Sequence, residues 1–245
     1  ASAAERLPVR PAGVIICVPS RRTEAAAKYL LSLGINTVDA CDLHEELPRI
    51  RRELHEAALR GGAAAVTGAG WDPGLDSSIR ALLAFALPCG VTHTQFGPGI
   101  SMGHSAAVKA LEGVADAVSV TIPAGGNSHR RRVYAALMPK ADPKAVEHAI
   151  LHDGYFEHDS TEVIFTDDIS AYKSHAHGVK IVREGYALGE GEQRLAFEMS
   201  INNPAVTAQI MTAALRAGFA RRPGCYLLPE FSPAELFGKE LGGVL

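Results

Sequence analysis

Apolar and polar residues follow two different rhythms along this chain. Gly13 to Val18 (GVIICV) is a wholly apolar run ended by Pro19-Ser20, the pattern of a strand buried on both faces of a parallel sheet. Thr23 to Leu33 follows with Ala26, Leu30 and Leu33 at helical spacing, and Gly34 stands where a helix C-cap belongs. A short strand at Asn36 to Val38, a charged amphipathic helix from about Glu45 to Arg60 and an apolar strand at Ala63 to Thr67 continue the alternation with short links. This order predicts a doubly wound α/β domain, of which the chain holds only half.

Past Gly70-Trp71-Asp72-Pro73-Gly74 and a helix at Ser77 to Ala86, the rhythm changes. Val133 to Met138, Glu162 to Thr166, Val179 to Glu184 and Arg194 to Ile201 alternate partially, which predicts an antiparallel or mixed sheet with one face covered. Helices are predicted at Pro143 to Leu151 and at Ala205 to Ala217, the latter with Asn203 as N-cap and Pro204 at the first helical position. Phe96 to Ser105, with Gly97, Gly99 and Gly103, reads as a loop needing positive φ at several positions.

Composition narrows the function classes. At 245 residues the chain can bury a sizeable core. Its net charge of −3 and its single short basic run, Arg130-Arg131-Arg132, give no electrostatic footprint for nucleic acid. The four cysteines lack metal or redox spacing and read as reduced thiols. No apolar run approaches the roughly 20 residues of a membrane span. A soluble, cytoplasmic protein is the expectation. His175-Ala176-His177 would put both imidazoles on one strand face, yet no third ligand has suitable spacing, so no metal is expected. Ser101, His104 and Asp116 would make a hydrolase triad only without the usual GxSxG elbow. Asp72 before Pro73 has the spacing of a helix N-cap, and Trp71 that of a core residue.

Five segments in order carry a family resemblance: CVPS (Cys17 to Ser20), VDACDLH (Val38 to His44), VTGAGWDPGLDSSIRAL (Val66 to Leu82), FGPGISMGHSAAVKALEGVADAVSVTIP (Phe96 to Pro123) and MSINNPAVTAQI (Met199 to Ile210). Together they resemble the NADP-dependent meso-diaminopimelate dehydrogenases over nearly the whole chain. The resemblance implies a Rossmann-like NADP-binding domain at 1–74, with 204–245 packing back on it, and an α+β substrate-binding and dimerisation domain at 75–203. It also implies a strand-helix-strand unit on the order of 45 residues with a GxGxxG turn, a motif this sequence does not contain.

The implied activity is oxidative deamination of meso-2,6-diaminopimelate at its D-centre, with NADP as cofactor and a homodimer as the assembly. Asp42 and Asp72 would face the reacting amino group, where a carboxylate can accept hydrogen bonds from an ammonium and take up its proton. Met102 and Gly103 would bring backbone N–H groups to the D-centre carboxylate, with Phe96 walling the aliphatic chain. Thr121, Arg131 and His177 would read the distal L-centre carboxylate, Arg131 as a bidentate clamp. A one-residue register decides which of the three consecutive arginines takes that role. Asn203 would bond substrate or ribose, and Cys17, Val18, Pro19, Ser20, Ala69, Gly70, Trp71, Asp72 and Pro73 would line the cofactor. Competing readings are a related D-amino-acid or diamine dehydrogenase, and a catalytically silent dimeric binding module without a full cofactor site.

Overall fold

The computed structural model describes residues 8–125, 128–173, 176–189 and 191–238. The chain divides into two units, Ala1–Ser78 with Ala205–Leu245, and Ile79–Pro204.

The first unit is built on a parallel sheet. Strands β1 (Gly13–Ile16), β2 (Asn36–Asp39), β3 (Ala64–Val66) and β10 (Gly224–Tyr226) lie in the order β1-β2-β3-β10. Helix α1 (Ser20–Ser32) buries Thr23, Ala27, Leu30 and Leu31, one stripe at helical spacing. It is closed by Gly34, whose φ of +66° suits a residue without Cβ. Helix α2 (Leu47–Gly61) carries Pro48 in its first turn and buries Ile50, Leu54, Ala57 and Ala58. Both helices pack against Ile16, Ala65 and Cys225. Val38 and Val66 point to the opposite face and pack on Met211, Ala214 and Ala217 of α6 (Asn203–Gly218). Neighbouring residues of β3 thus serve two cores, the hallmark of a sheet wound on both sides. A final short helix, α7 (Pro233–Phe237), is capped by Ser232.

Two expectations need correcting here. The run at 13–18 is not buried on both faces: β1 ends at Ile16, lies at a sheet edge among the described residues, and leaves Ile15 37% exposed. Asn203 is the first helical residue of α6 rather than its N-cap, a one-residue shift of the sort common at helix ends.

The second unit is a six-stranded sheet in the order β7-β6-β5-β4-β8-β9. It comprises β4 (Cys89–Ser101), β5 (Val114–Gly125), β6 (Ser128–Leu137), β7 (Ser160–Phe165), β8 (Ala176–Tyr186) and β9 (Gln193–Asn202). All pairings are antiparallel except β6 with β7, which are parallel and are joined through α5 (Pro143–Leu151). Helix α3 (Asp76–Ala86) leads into the sheet, and α4 (Met102–Lys109) follows β4. Val108 of α4, Val146 and Ile150 of α5, and Phe156 cover one face over Ala117, Val133 and Ala135. The other face has a smaller cluster of Ile100, Val118 and Ile169, beside the stacked rings of Tyr134 and Tyr172.

The glycine-rich stretch at 96–105 is therefore not a loop but the end of β4 and the start of α4. The strand survives Gly97-Pro98-Gly99 because its pairing with β8 shifts register between Phe96 and Gly99, a bulge that absorbs one extra residue.

Candidate active-site residues

In the first unit the candidate residues lie at the carboxyl ends of the parallel strands. Cys17 to Ser20 follow β1, Cys41 to His44 follow β2, and Ala69 to Pro73 follow β3. The last two loops are tied together by Asp39, a fully buried residue that the sequence reading missed. Its Oδ1 accepts hydrogen bonds from Cys41 N (3.0 Å), Gly68 N (3.2 Å) and Thr67 Oγ1 (3.0 Å). Its carbonyl accepts a further bond from Ala69 N at 2.7 Å. Burial pushes the Asp39 carboxyl above its usual range, against the lowering effect of these donors. Ser20 Oγ accepts a bond from Asp42 N at 3.3 Å, linking the first loop to the second.

Asp72 has extended dihedrals (φ −135°, ψ 120°), the backbone region of an N-cap, at a kink inside the turn Trp71–Leu75, and precedes a cis Pro73. Its Oδ2 lies 3.6 Å from Nε2 of His44. The Asp72 carboxylate raises the His44 pKa, outweighing the opposing effect of burial. Trp71 is buried.

In the second unit, register assembles what separation along the chain conceals. His177 and Thr121 both pair with Gly99, one from each neighbouring strand, and Thr121 pairs with Arg131. Directly opposed residues point to the same side of a sheet. His177, Thr121 and Arg131 therefore lie on one row and one face. Gly99 is obligatory between them: a Cβ there would sit 2.3 Å from the Ala176 carbonyl oxygen and 2.4 Å from His177 Cα, at a φ of +152°. Of the three arginines, Arg131 is on this face, whereas Arg132 points away and pairs with Glu162 at 2.6 Å.

Arg131 is held by three side chains. Its Nε donates to Asp159 Oδ2 (2.6 Å), Nη1 donates to Thr121 Oγ1 (2.6 Å), and Nη2 lies 3.1 Å from His129 Nε2. Burial acts to raise the Asp159 pKa, but hydrogen bonds from His129 and Arg131 outweigh it and hold the carboxyl well below the usual range. His104, beside this group, is pushed down to about 3, first by burial and then by the Arg131 charge, and so is neutral. Its Nδ1 lies 2.8 Å from Ser101 Oγ. The hydrolase triad is not assembled, because Asp116 is bound instead to Lys109 (2.7 Å) and Lys173 (3.0 Å).

Phe96 meets the His129 ring edge-on at 6.1 Å between centroids. Met102 and Gly103 are the first two residues of α4, whose N-terminus has no side-chain cap. First-turn N–H groups lack partners within their own helix and favour an anion there. Asn203 is buried and donates from Nδ2 to the Ile100 carbonyl at 3.5 Å. His177 is buried, with Nδ1–H donating to the Gly178 carbonyl at 3.0 Å. His175 lies outside the described residues, among which no cluster of three or more His, Cys, Asp or Glu can hold a metal. His129 could have been found by strand period, two residues before Arg131. Asp159 and Asp39 carry no such signal.

Residues 70–128 match the family model described as the diaminopimelic acid dehydrogenase C-terminal domain. A meso-diaminopimelate D-dehydrogenase of Bacteroides fragilis is 44% identical over 222 residues, covering 91% of this chain and 74% of the relative. A solved C. glutamicum DAP dehydrogenase in complex with DAP superposes with a TM-score of 0.82 at 28% identity, covering 94% of this chain and 79% of that one. An engineered D-amino acid dehydrogenase bound to NADP⁺ gives a TM-score of 0.84 at 27% identity, with the same coverage. The Rossmann-like parallel sheet and the mixed α+β sheet are the fold of these enzymes. No described helix is long and apolar enough to cross a membrane. By identity and coverage, the chain belongs to the meso-diaminopimelate dehydrogenase family.

Proposed function

We propose that the chain catalyses the NADP-dependent, reversible oxidative deamination of meso-2,6-diaminopimelate at its D-centre, giving L-2-amino-6-oxopimelate and ammonia. The observation that carries the assignment of substrate ends is the braced Arg131. Its guanidinium is pinned by Thr121, Asp159 and His129 on a largely buried sheet face, and a fixed planar fork of donors suits a carboxylate better than a neutral group. Thr121, Arg131 and His177 read the distal carboxylate. Met102 and Gly103 offer helix N-terminal N–H groups to the carboxylate at the reacting centre, with Phe96 against the aliphatic chain.

The residues present fit a nicotinamide cofactor. The loops 17–20 and 69–73 follow parallel strands at their carboxyl ends, and α1 begins there without a side-chain cap, the position where doubly wound sheets bind dinucleotides. Cys17 to Ser20, Ala69 to Pro73 and Asn203 would hold it, and it supplies the hydride acceptor. The protein's own part is orientation and proton handling. Asp42 and Asp72 accept hydrogen bonds from the D-centre ammonium, and Asp72 takes up its proton, leaving an amine whose lone pair can form the imine. Water then hydrolyses the imine.

The enzyme works as a cytoplasmic homodimer in this reading. Support for pairing comes from the open side of the six-stranded sheet, where Val91 is 60% exposed and Val120 and Ile122 are half-buried. Light scattering that reports a monomer at working concentration would remove that part.

The kinetic test compares two substrates on the complete enzyme. Arg131→Ala should lower kcat/KM for diaminopimelate roughly 10- to 200-fold, the value of a charge-assisted contact. A small D-amino acid without the distal carboxylate should lose far less. Asp72→Asn should instead depress kcat for both. Equal loss on both substrates for Arg131→Ala would mean that Arg131 supports the fold rather than reading one end of the substrate.

A further inference from the structure

What Arg131 can offer a ligand is decided by a residue outside the resemblance, Asp159. It stands between α5 and β7, 28 residues from Arg131 in sequence, and its Oδ2 accepts the Arg131 Nε–H at 2.6 Å. Its Oδ1 lies 3.3 Å from His129 Nε2, and Oδ2 lies 3.9 Å from His104 Nε2. The pair is largely shielded from water, with side chains only 10% and 19% exposed.

A guanidinium has five N–H donors in a fixed plane. In Arg131 the Nε–H goes to Asp159, one Nη1–H goes to Thr121, and Nη2 faces His129. His129 Nε2 also lies against Asp159 and cannot both donate there and accept from Nη2, so at least one N–H remains on each terminal nitrogen, a pair that can grip a carboxylate with two parallel bonds. Without Asp159 nothing engages Nε, and rotation about the last torsions of the side chain would turn these two donors away. Asp159 also carries a charge opposite to that of Arg131, and His104 beside them is neutral, so the ion pair contributes almost no net charge.

We propose that Asp159 is a positioning residue that sets substrate specificity: it aims the two terminal N–H groups of Arg131 at the distal carboxylate and cancels the arginine's charge, so that selection rests on two-pronged geometry rather than on net attraction. The inference rests on the reading of Arg131 as the distal clamp.

Steady-state kinetics on the complete enzyme test it, with meso-diaminopimelate and D-alanine as the two substrates. Asp159→Ala should lower the ratio of kcat/KM values, diaminopimelate over D-alanine, by about tenfold or more, through KM. In an Arg131→Ala background the same change should leave the ratio unmoved, because the group it positions is gone. Asp159→Asn keeps an acceptor for Nε and should hold the ratio within about threefold at low salt. It also leaves the arginine's charge uncancelled, so its KM for diaminopimelate should rise with ionic strength while the unmodified enzyme's stays nearly flat. This second variant decides the matter even if Asp159→Ala fails to fold. An Asp159→Ala effect of equal size in both backgrounds, or an Asp159→Asn enzyme with the parent's salt response, overturns the proposal while leaving the clamp intact. If Arg131→Ala alone leaves the ratio unmoved, the clamp reading fails and this inference falls with it.

Discussion

Asp39 offers a direct way to disturb the two loops that carry Asp42 and Asp72 without touching either carboxylate. Its Oδ1 is the common acceptor for Cys41 N, Gly68 N and Thr67 Oγ1. Replacing it with alanine leaves three buried donors without their acceptor, at about 1–3 kcal/mol for each group that water cannot reach. Partial relaxation of the loops brings the expected cost to about 3–5 kcal/mol, a fall in Tm on the order of 10 °C for a chain of this size. Burial raises the pKa of this carboxyl, so the protonated form is the one the fold prefers. An aspartate whose folded pKa lies above its unfolded value of about 3.9 stabilises most below that value, and the contribution is lost as pH rises through the folded pKa. Asp39→Asn mimics the protonated form and keeps the acceptor oxygen. It should therefore cost little at acidic pH, and its Tm should gain on that of the parent as pH rises through the Asp39 pKa. Thermal unfolding of both variants and the parent, followed upward in pH from the ordinary aspartate range, measures this. A penalty for Asp39→Asn as large as that for Asp39→Ala at every pH would show that an ionised carboxylate, not a neutral acceptor, holds the loops.

Two further predictions concern stability. Arg183 is buried and donates to Leu87 O (2.6 Å), Thr92 Oγ1 (2.8 Å) and Pro88 O (3.1 Å). Arg183→Met should cost about 2–4 kcal/mol, and Arg183→Lys should recover only part of the loss, because an ammonium cannot span three acceptors in a plane; a Tm within about 2 °C of the parent for Arg183→Met would contradict this. His44 has its pKa raised by Asp72, so its contribution is full below the unfolded value of about 6.5 and is lost as pH rises through the higher folded value. The Tm gap between the parent and His44→Gln should shrink across that window, and a gap that widens with pH would reverse the sign of the pairing.

The first unit was legible because its signals are local. An apolar strand, a helix with one buried stripe and a terminating glycine repeat within some 50 residues, so the type of each element follows from its own pattern, although the edge exposure of β1 does not. β4 was not legible, because Gly97-Pro98-Gly99 has the composition of a turn. What keeps it in the sheet is tertiary: the bulge against β8, and a backbone approach at Gly99 too close for any side chain. Local propensity and global pairing disagree there, and pairing wins. Such disagreement is expected where a strand must deliver functional groups at a set place. The same stretch ends at the N-terminus of α4, which has no side-chain cap, so Met102 and Gly103 stand where N–H groups lack partners within their own helix.

The candidate site divides along the same line. The family resemblance could name Thr121, Arg131 and His177 but could not say how they meet, because separation in sequence carries no register. Once β5 and β6 pair as an antiparallel hairpin, Arg131 must face Thr121, and Arg132, one residue on, must face away. Once β4 lies between β5 and β8, Gly99 aligns Thr121 with His177. A one-residue slip in β6 would put Arg130 and Arg132 on the face of Thr121 and His177 and turn Arg131 to the other, so which of the three consecutive arginines joins them is decided by strand register and not by side-chain chemistry. Asp159 then fixes what register alone leaves free, the rotation of the guanidinium. It arrives from a non-repetitive link after α5, where no periodicity marks one acidic residue above another, and for that reason only the folded chain singles it out.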